Sequence, residues 1–172
     1  MSPGLVMKHD ETEERGRALG THLFALGYEP AGSRYDALLR AGLRYCSHAL
    51  LVMQERFKWS DTATAAVTAL QPWRVAETTG REWPCTRSTH EARLLTFQYD
   101  EGFVVALRSL SRRLFQWEEP ALPEDLCLFR PTGDPWLGSI AHESDAWLNL
   151  TDDESPAMAE ALRPIPLRRQ PP

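Results

Sequence analysis

The spacing of hydrophobic residues changes at Pro72, and this change constrains the fold more than any other feature of the sequence. Before Pro72, apolar residues recur at steps of three and four, which places them on one face of a helix. After it, apolar and polar residues alternate over residues 91–99, a pattern typical of a strand with one buried face. The order predicts an α+β fold: N-terminal helices followed by a mostly antiparallel sheet with one inserted amphipathic helix.

Three helices are expected before Pro72. The first covers about residues 10–27, and a second, long helix runs from a cap at Ser33 to about Phe57. A shorter helix, "SDTATAAVTAL", begins at Ser60 and stops before Pro72, because the residue that precedes a proline avoids helical geometry. The core-facing positions expected in the long helix are Tyr35, Leu38, Leu39, Gly42, Cys46, Ala49, Leu50, Met53 and Phe57.

Beyond Pro72 the chain is expected to form mainly strands. The inserted helix begins at Asp100 and ends near Trp117, since its apolar residues follow steps of four and three. Residues 126–142 predict a β-hairpin around Gly133. The stretch "DAWLNL" predicts a further strand, and a short helix capped by Ser155 follows it.

Length and composition indicate one domain. A chain of 172 residues can bury a sizeable core, and residues 1–9 and 163–172 are expected to be flexible tails. No membrane association is expected, because the longest apolar run is short and the N-terminus has no apolar signal segment. Three widely spaced cysteines without a CxxC pair favour a reducing cytoplasm and argue against a structural zinc site.

The acidic residues are concentrated in the C-terminal third of the chain. The net charge is −5, and residues 118–154 carry ten acids against one base, Arg130. Nucleic acid is not an expected partner, because its phosphates would be repelled there. A basic protein surface would be attracted instead. A solvated acidic rim that keeps the protein soluble is the alternative interpretation.

The stretch "SIAHESDAWLNL" (139–150) carries the residue types most typical of catalysis. His142 and Glu143 do not form the zinc motif HExxH, because Ala146 stands where the second histidine is required. The sequence contains no glycine-rich phosphate loop and no other metal-ligand motif, so neither a metal nor a cofactor is expected.

The expected hairpin register pairs Arg130 with Trp136. Cys127 then opposes Ser139 and lies on the other face of the sheet from His142, which argues against a Cys–His dyad. In the same register His142 lies opposite Glu124, so a contact between the two is expected.

Residues 122–150, "LPEDLCLFRPTGDPWLGSIAHESDAWLNL", resemble a segment of small, stand-alone bacterial proteins that have no established activity. The shared pattern is PEDLCxxR followed by PWLxSIAHExDAW. The resemblance implies that His142, Glu143 and Asp145 matter, either for turn geometry or for chemistry. Small acidic α+β proteins are also similar in style to the immunity proteins of bacterial toxin systems, which is a fold-level analogy.

Two functional hypotheses follow. The preferred one is a non-catalytic, cytoplasmic protein-binding protein, similar to an immunity protein or antitoxin, whose acidic surface (118–154) covers a basic partner. The expected partner-binding residues are Glu124, Asp134, Trp136, Asp145, Trp147, Asp152 and Asp153. The alternative is a small enzyme that uses His142 as general acid or base, assisted by Glu124, Glu143 or Asp145. A homo-oligomer that packs through the long second helix is a further possibility.

Overall fold

A computed structural model describes residues 20–171, which form one eight-stranded sheet and four α-helices. The strands are β1 (Thr21–Leu26), β2 (His48–Gln54), β3 (Arg74–Trp83), β4 (Thr86–Gln98), β5 (Glu124–Phe129), β6 (Pro135–Ile140), β7 (Asp145–Thr151) and β8 (Leu167–Arg169). The helices are α1 (Ser33–Tyr45), α2 (Asp61–Leu70), α3 (Glu101–Leu110) and α4 (Glu154–Ala161). The strand order is β3-β4-β2-β5-β6-β7-β1-β8, and every neighbouring pair is antiparallel.

The prediction that N-terminal helices come before the sheet is wrong, because α1 follows a strand. β1 occupies residues 21–26 of the predicted first helix and lies between β7 and β8. Phe24 and Leu26, two positions apart, pack against the main core, which is the period of a strand rather than of a helix. Residues 10–19 of that predicted helix lie outside the described residues.

The long second helix is also wrong beyond Tyr45, where α1 ends. Residues 49–53 belong to β2, which pairs with β4 on one side and β5 on the other. Both faces of β2 are buried. A strand buried on both faces reads as a continuous apolar run, and periodicity does not distinguish such a run from a buried helix. The core positions expected within α1 itself (Tyr35, Leu38, Leu39 and Gly42) are buried as predicted.

The helices and the hairpin that carry local sequence signals are present, but the predicted end of one helix and the predicted cap of another are wrong. The Ser60 hydroxyl caps α2 by accepting a hydrogen bond from the Ala63 N–H at 3.1 Å. β5 and β6 form the expected hairpin around Gly133, whose φ of 90° requires glycine. α3 begins after Asp100 as predicted but ends at Leu110. α4 begins at Glu154, one residue before the predicted cap.

The sheet has a buried cluster on each face. The larger cluster joins the helices to alternate strand residues such as Leu51, Phe97 and Leu148. The smaller one consists of seven residues that all lie in β2 to β5, among them Trp83 and Phe129. β3 and β8 are the edge strands, and β8 lies within the segment predicted as a flexible tail. Among the described residues, no helix is both long and apolar enough to cross a membrane.

Candidate functional site

Four of the seven expected partner-binding side chains are buried. Glu124 and Trp136 are 0% exposed, and Asp134 and Trp147 are 5% exposed. Trp136 stacks on Tyr45 with ring centroids 5.6 Å apart. These four side chains fill the interior, and only Asp145, Asp152 and Asp153 remain on the surface.

The acidic segment is also partly neutralised within the chain. Both carboxylate oxygens of Glu154 accept hydrogen bonds from the Arg130 guanidinium, at 2.8 and 2.6 Å, and both side chains are nearly buried. Burial opposes the ionisation of Glu154, but the bonds from Arg130 and the Thr151 N–H outweigh it and hold its pKa below the usual value. Asp152 lies 3.3 Å from a ring nitrogen of His22. The acidic residues counted in the sequence therefore do not form one continuous acidic face.

The β5–β6 hairpin closes one residue away from the expected register. Leu128 pairs with Leu137, and a bulge shifts the next pair to Phe129 and Pro135. His142 does not continue β6, because residues 141–143 form a 3₁₀ turn that ends at Ser144 in left-handed geometry. This turn, rather than a strand pairing, carries His142 over the start of β5.

The turn brings His142 to two glutamates. Glu119, Glu124 and His142 each offer one ligand atom, and these three atoms lie within 4.8 Å of one another. Glu124 is buried, Glu119 is half-buried and His142 is exposed. The expected proximity of His142 and Glu124 is thus found, together with a third residue that was not predicted. Glu143 lies beside this group, with Oε1 3.8 Å from His142 Nε2, while Asp145 lies exposed at the start of β7.

The Glu124 carboxyl group is only half satisfied. Gln54 Nε2 donates to Glu124 Oε1 at 2.7 Å. Oε2 of Glu124 and Oε2 of Glu119 are both buried and have no hydrogen-bond donor among the described residues. Burial raises the pKa of Glu124 to about 9, and the carboxyls of Glu119 and Asp125 add to the shift. Two carboxyl groups in this position need a shared proton or a cation between them.

Asp125 fixes the turn that carries His142. Its Oδ1 accepts a hydrogen bond from the Ala141 N–H at 2.9 Å, and its Oδ2 accepts one from Trp83 Nε1 at 2.8 Å. Burial raises the pKa of Asp125 to about 6, although these two bonds favour its ionised form. Its φ is 57°, a left-handed conformation that costs free energy in a residue other than glycine. Strained backbone of this kind is concentrated at functional sites.

An open cavity of about 370 Å³ lies against His142. Its walls are Gln54 at the end of β2, Arg56 just after it, residues 85–89 of the β3–β4 hairpin, and residues 140, 142 and 143. Thr86 Oγ1 is buried at this wall without a hydrogen-bond partner among the described residues. Gln54 connects the cavity to Glu124, because it lines the cavity and also donates to the carboxyl group.

Cys127 takes no part in this site. It is fully buried in the smaller cluster, and its thiol donates to the Asp125 carbonyl oxygen at 3.3 Å. Burial raises the pKa of the thiol well above its usual value, which suppresses the reactive thiolate. The buried position of Cys127 agrees with the expectation that Cys127 and His142 form no dyad. The hairpin register from which that expectation was argued is wrong by one residue.

No protein-family model matches the chain, and comparison with curated proteins and with solved structures gives no significant similarity. The resemblance of residues 122–150 to small bacterial proteins therefore stays a prediction. A function has to be argued from the site itself.

Sequence reasoning missed Glu119, Asp125 and the hairpin wall of the cavity. One signal was available. Glu124 and Asp125 stand at the start of the apolar strand "EDLCLF", where the burial of a charge is costly unless the charge has a role. Glu119 had no such signal, because it lies in a loop whose course depends on tertiary contacts.

Proposed function

We propose that the protein is a small enzyme whose substrate is a compact oxyanion, such as a phosphate ester, bound in the cavity beside His142. The observation that carries the proposal is the convergence of cationic, hydroxyl and imidazole groups on one open cavity, next to the incompletely satisfied carboxyl groups of Glu119 and Glu124. Perturbed buried carboxyls beside a cavity are typical of catalytic sites. This favours the enzyme hypothesis over the partner-binding one.

The polarity of the cavity supports an anionic ligand. Arg56 is exposed at the wall, and no ion pair among the described residues engages it. Thr86, Ser88 and Thr89 also line the cavity. Thr86 Oγ1 is without a partner among the described residues, whereas the Ser88 hydroxyl already donates to Gln54 Oε1. Guanidinium and hydroxyl groups are the donors that phosphate oxygens accept from most readily. His142 then lies against the bound ester.

The reaction expected of such a site is hydrolysis of the ester. The oxygen of a water molecule forms a new bond to phosphorus, and the bond from phosphorus to the alcohol oxygen breaks. One proton of the water passes to the leaving alcohol, and the other stays on the phosphate. The chain supplies orientation and charge stabilisation for this displacement.

The first test measures anion binding and turnover with inorganic phosphate and p-nitrophenyl phosphate. Arg56→Ala should weaken phosphate binding about tenfold or more, because a charge-assisted hydrogen bond contributes on the order of 1.5–3 kcal/mol. His142→Gln should abolish release of p-nitrophenol. Arg112→Ala, which removes an exposed arginine outside the cavity, is the matched control and should change neither result. Phosphate affinity that is unchanged by Arg56→Ala, or absence of turnover by the native chain, would contradict the proposal.

The partner-binding hypothesis depends on the three acids that remain exposed: Asp145, Asp152 and Asp153. Their replacement by lysine should abolish capture of a basic partner protein from the native host and should leave the chain folded, since none of them is buried. A small fall in melting temperature is expected, because Asp152 lies close to His22 and Arg169. Capture by the triple variant at the native level would contradict this hypothesis. Its support is weaker than that of the enzyme, because the tryptophans expected at the interface lie in the interior.

A cytoplasmic location is part of the same proposal. Cys46 and Cys127 are buried and form no disulfide bond. Buried cysteines that stay reduced are typical of proteins in reducing compartments.

A further inference from the structure

We propose that Glu119, Glu124 and His142 bind a divalent transition-metal ion, such as Zn²⁺ or Mn²⁺. The site goes beyond the anion cavity, because two of its three ligands, Glu119 and Glu124, do not line that cavity. The proposal rests on the positions of the three side chains and on Oε2 of Glu124, which has no hydrogen-bond donor among the described residues.

The spacing of the three ligand atoms fits one ion. They lie within 4.8 Å of one another. Bonds from zinc to carboxylate oxygen and imidazole nitrogen are about 2.0–2.2 Å long, so two ligand atoms on one tetrahedral ion are about 3.3–3.6 Å apart. Movements of about 1 Å or less in each side chain therefore close the site, and two of the three side chains have room to move because they are not fully buried.

Glu124 supplies an independent observation that points to a ligand. It is 0% exposed, and its Oε2 has no hydrogen-bond donor among the described residues. Its other oxygen already accepts from Gln54, so the unsatisfied atom is the one free for a further partner. An unpartnered buried carboxylate oxygen is costly in free energy, and a bound cation removes that cost.

The surroundings have the features of an open metal site. Three protein ligands leave a further coordination position, which is the pattern of catalytic rather than structural zinc. Two carboxylates and one imidazole balance the charge of a divalent ion and suit zinc or manganese. Gln54 orients Glu124, and Asp125 holds the turn that carries His142, as outer groups do around metal ligands.

His142 joins the metal site to the cavity, because it belongs to both. A metal ion held by these three residues would therefore lie next to a ligand bound in the cavity, where it would supply a water of lowered pKa for the hydrolysis described above. This last step rests on the proposed function, whereas metal binding itself does not.

The test titrates untagged, chelator-treated full-length protein with Zn²⁺ and Mn²⁺ in a calorimeter. We expect one ion per chain, and at least a tenfold loss of affinity for Glu119→Gln and for His142→Ala. The visible spectrum of bound Co²⁺ should also change in His142→Ala, since a nitrogen ligand is lost. Both substitutions are outside the buried core, and circular dichroism verifies that each variant is folded.

His90→Ala and Asp153→Asn are the matched controls, because both residues are exposed and neither belongs to the three-residue group. They should bind metal as the native protein does. Absence of binding to the native chain, or native affinity in His142→Ala, would overturn the metal site.

The failure of this inference and the failure of the proposed function are distinguishable. Metal binding without turnover of p-nitrophenyl phosphate supports the metal site and contradicts the enzyme. Turnover that persists after complete chelation supports the enzyme and overturns the metal-bound water. Loss of turnover on chelation with recovery on adding Zn²⁺ or Mn²⁺ supports both.

Discussion

Glu124→Gln should raise the free energy of unfolding of the metal-free protein by about 1–3 kcal/mol at pH 8, relative to the native chain. The pKa of Glu124 is about 9 in the fold, against the usual value of 4.5. Between these two values the folded chain holds a proton that the unfolded chain has released, so stability falls as the pH rises. Glutamine carries no charge at any of these pH values, and its amide can donate to the unsatisfied oxygen of Glu119.

Urea unfolding at pH 5, 7 and 9 measures this difference. The advantage of the variant should be small at pH 5 and largest at pH 9. Asp125 has a pKa raised to about 6, so it also makes stability fall as the pH rises, but it does so in both proteins. It therefore does not explain a difference between them. Glu143→Gln, at an exposed acid beside the site, should leave the pH profile unchanged. A native stability that rises from pH 5 to pH 9 in parallel with the variant would refute the prediction.

The same substitution should lower metal affinity while it stabilises the metal-free fold. Functional sites commonly have this trade-off, because groups placed for binding are not placed for stability. A stabilised variant that also binds Zn²⁺ as tightly as the native chain would contradict the role given to Glu124.

Gly138→Ala should destabilise the fold by about 3 kcal/mol or more. Gly138 in β6 pairs with Trp147 in β7, and a Cβ at position 138 would overlap the indole atoms Cζ2 and Cε2. Trp147 is 5% exposed, and pairing on both sides holds β7 in place, so neither partner has room to move. Denaturant unfolding of the two proteins measures the loss.

Trp147→Phe is the designed suppressor of this clash. The smaller ring removes the indole atoms that the new methyl group would meet, although the substitution is itself destabilising because packing is lost. In a double-mutant cycle, the two substitutions together should therefore cost at least about 1 kcal/mol less than the sum of each alone. Simple additivity would show that the overlap is relieved in another way.

Helix caps and turn residues in the sequence were sufficient to predict two helices and one hairpin. α2 is defined by its Ser60 cap and α3 by its Asp100 cap, whose carboxylate accepts a hydrogen bond from the Phe103 N–H at 2.9 Å. The β5–β6 hairpin follows from Gly133 and the apolar runs on each side. β1 and β2 were missed because each is a strand only by virtue of partners distant in the sequence.

The site was predicted in part for a similar reason. Glu124 begins the first strand of the β5–β6 hairpin, and His142 lies in the turn that follows the second strand. Their proximity could therefore be predicted from the hairpin register, even from a register that was wrong by one residue. Glu119 arrives from a separate loop, and the left-handed conformation of Asp125 has no signature in the residue types around it. The acidic surface was overestimated because a count of acidic residues does not tell which of their side chains are buried in the fold.

The position of β1 in the sheet has a consequence for synthesis of the chain. β1 is the first described strand, yet its two neighbours are β7 and β8, more than one hundred residues later. A nascent chain therefore leaves the ribosome with this strand unpaired, and it stays so until nearly all of the described residues have been translated. Non-local pairing of this kind slows folding, because a long loop must close before any contact is gained. Ribosome-bound nascent chains that end before Asp145 should accordingly leave residues 21–26 open to protease.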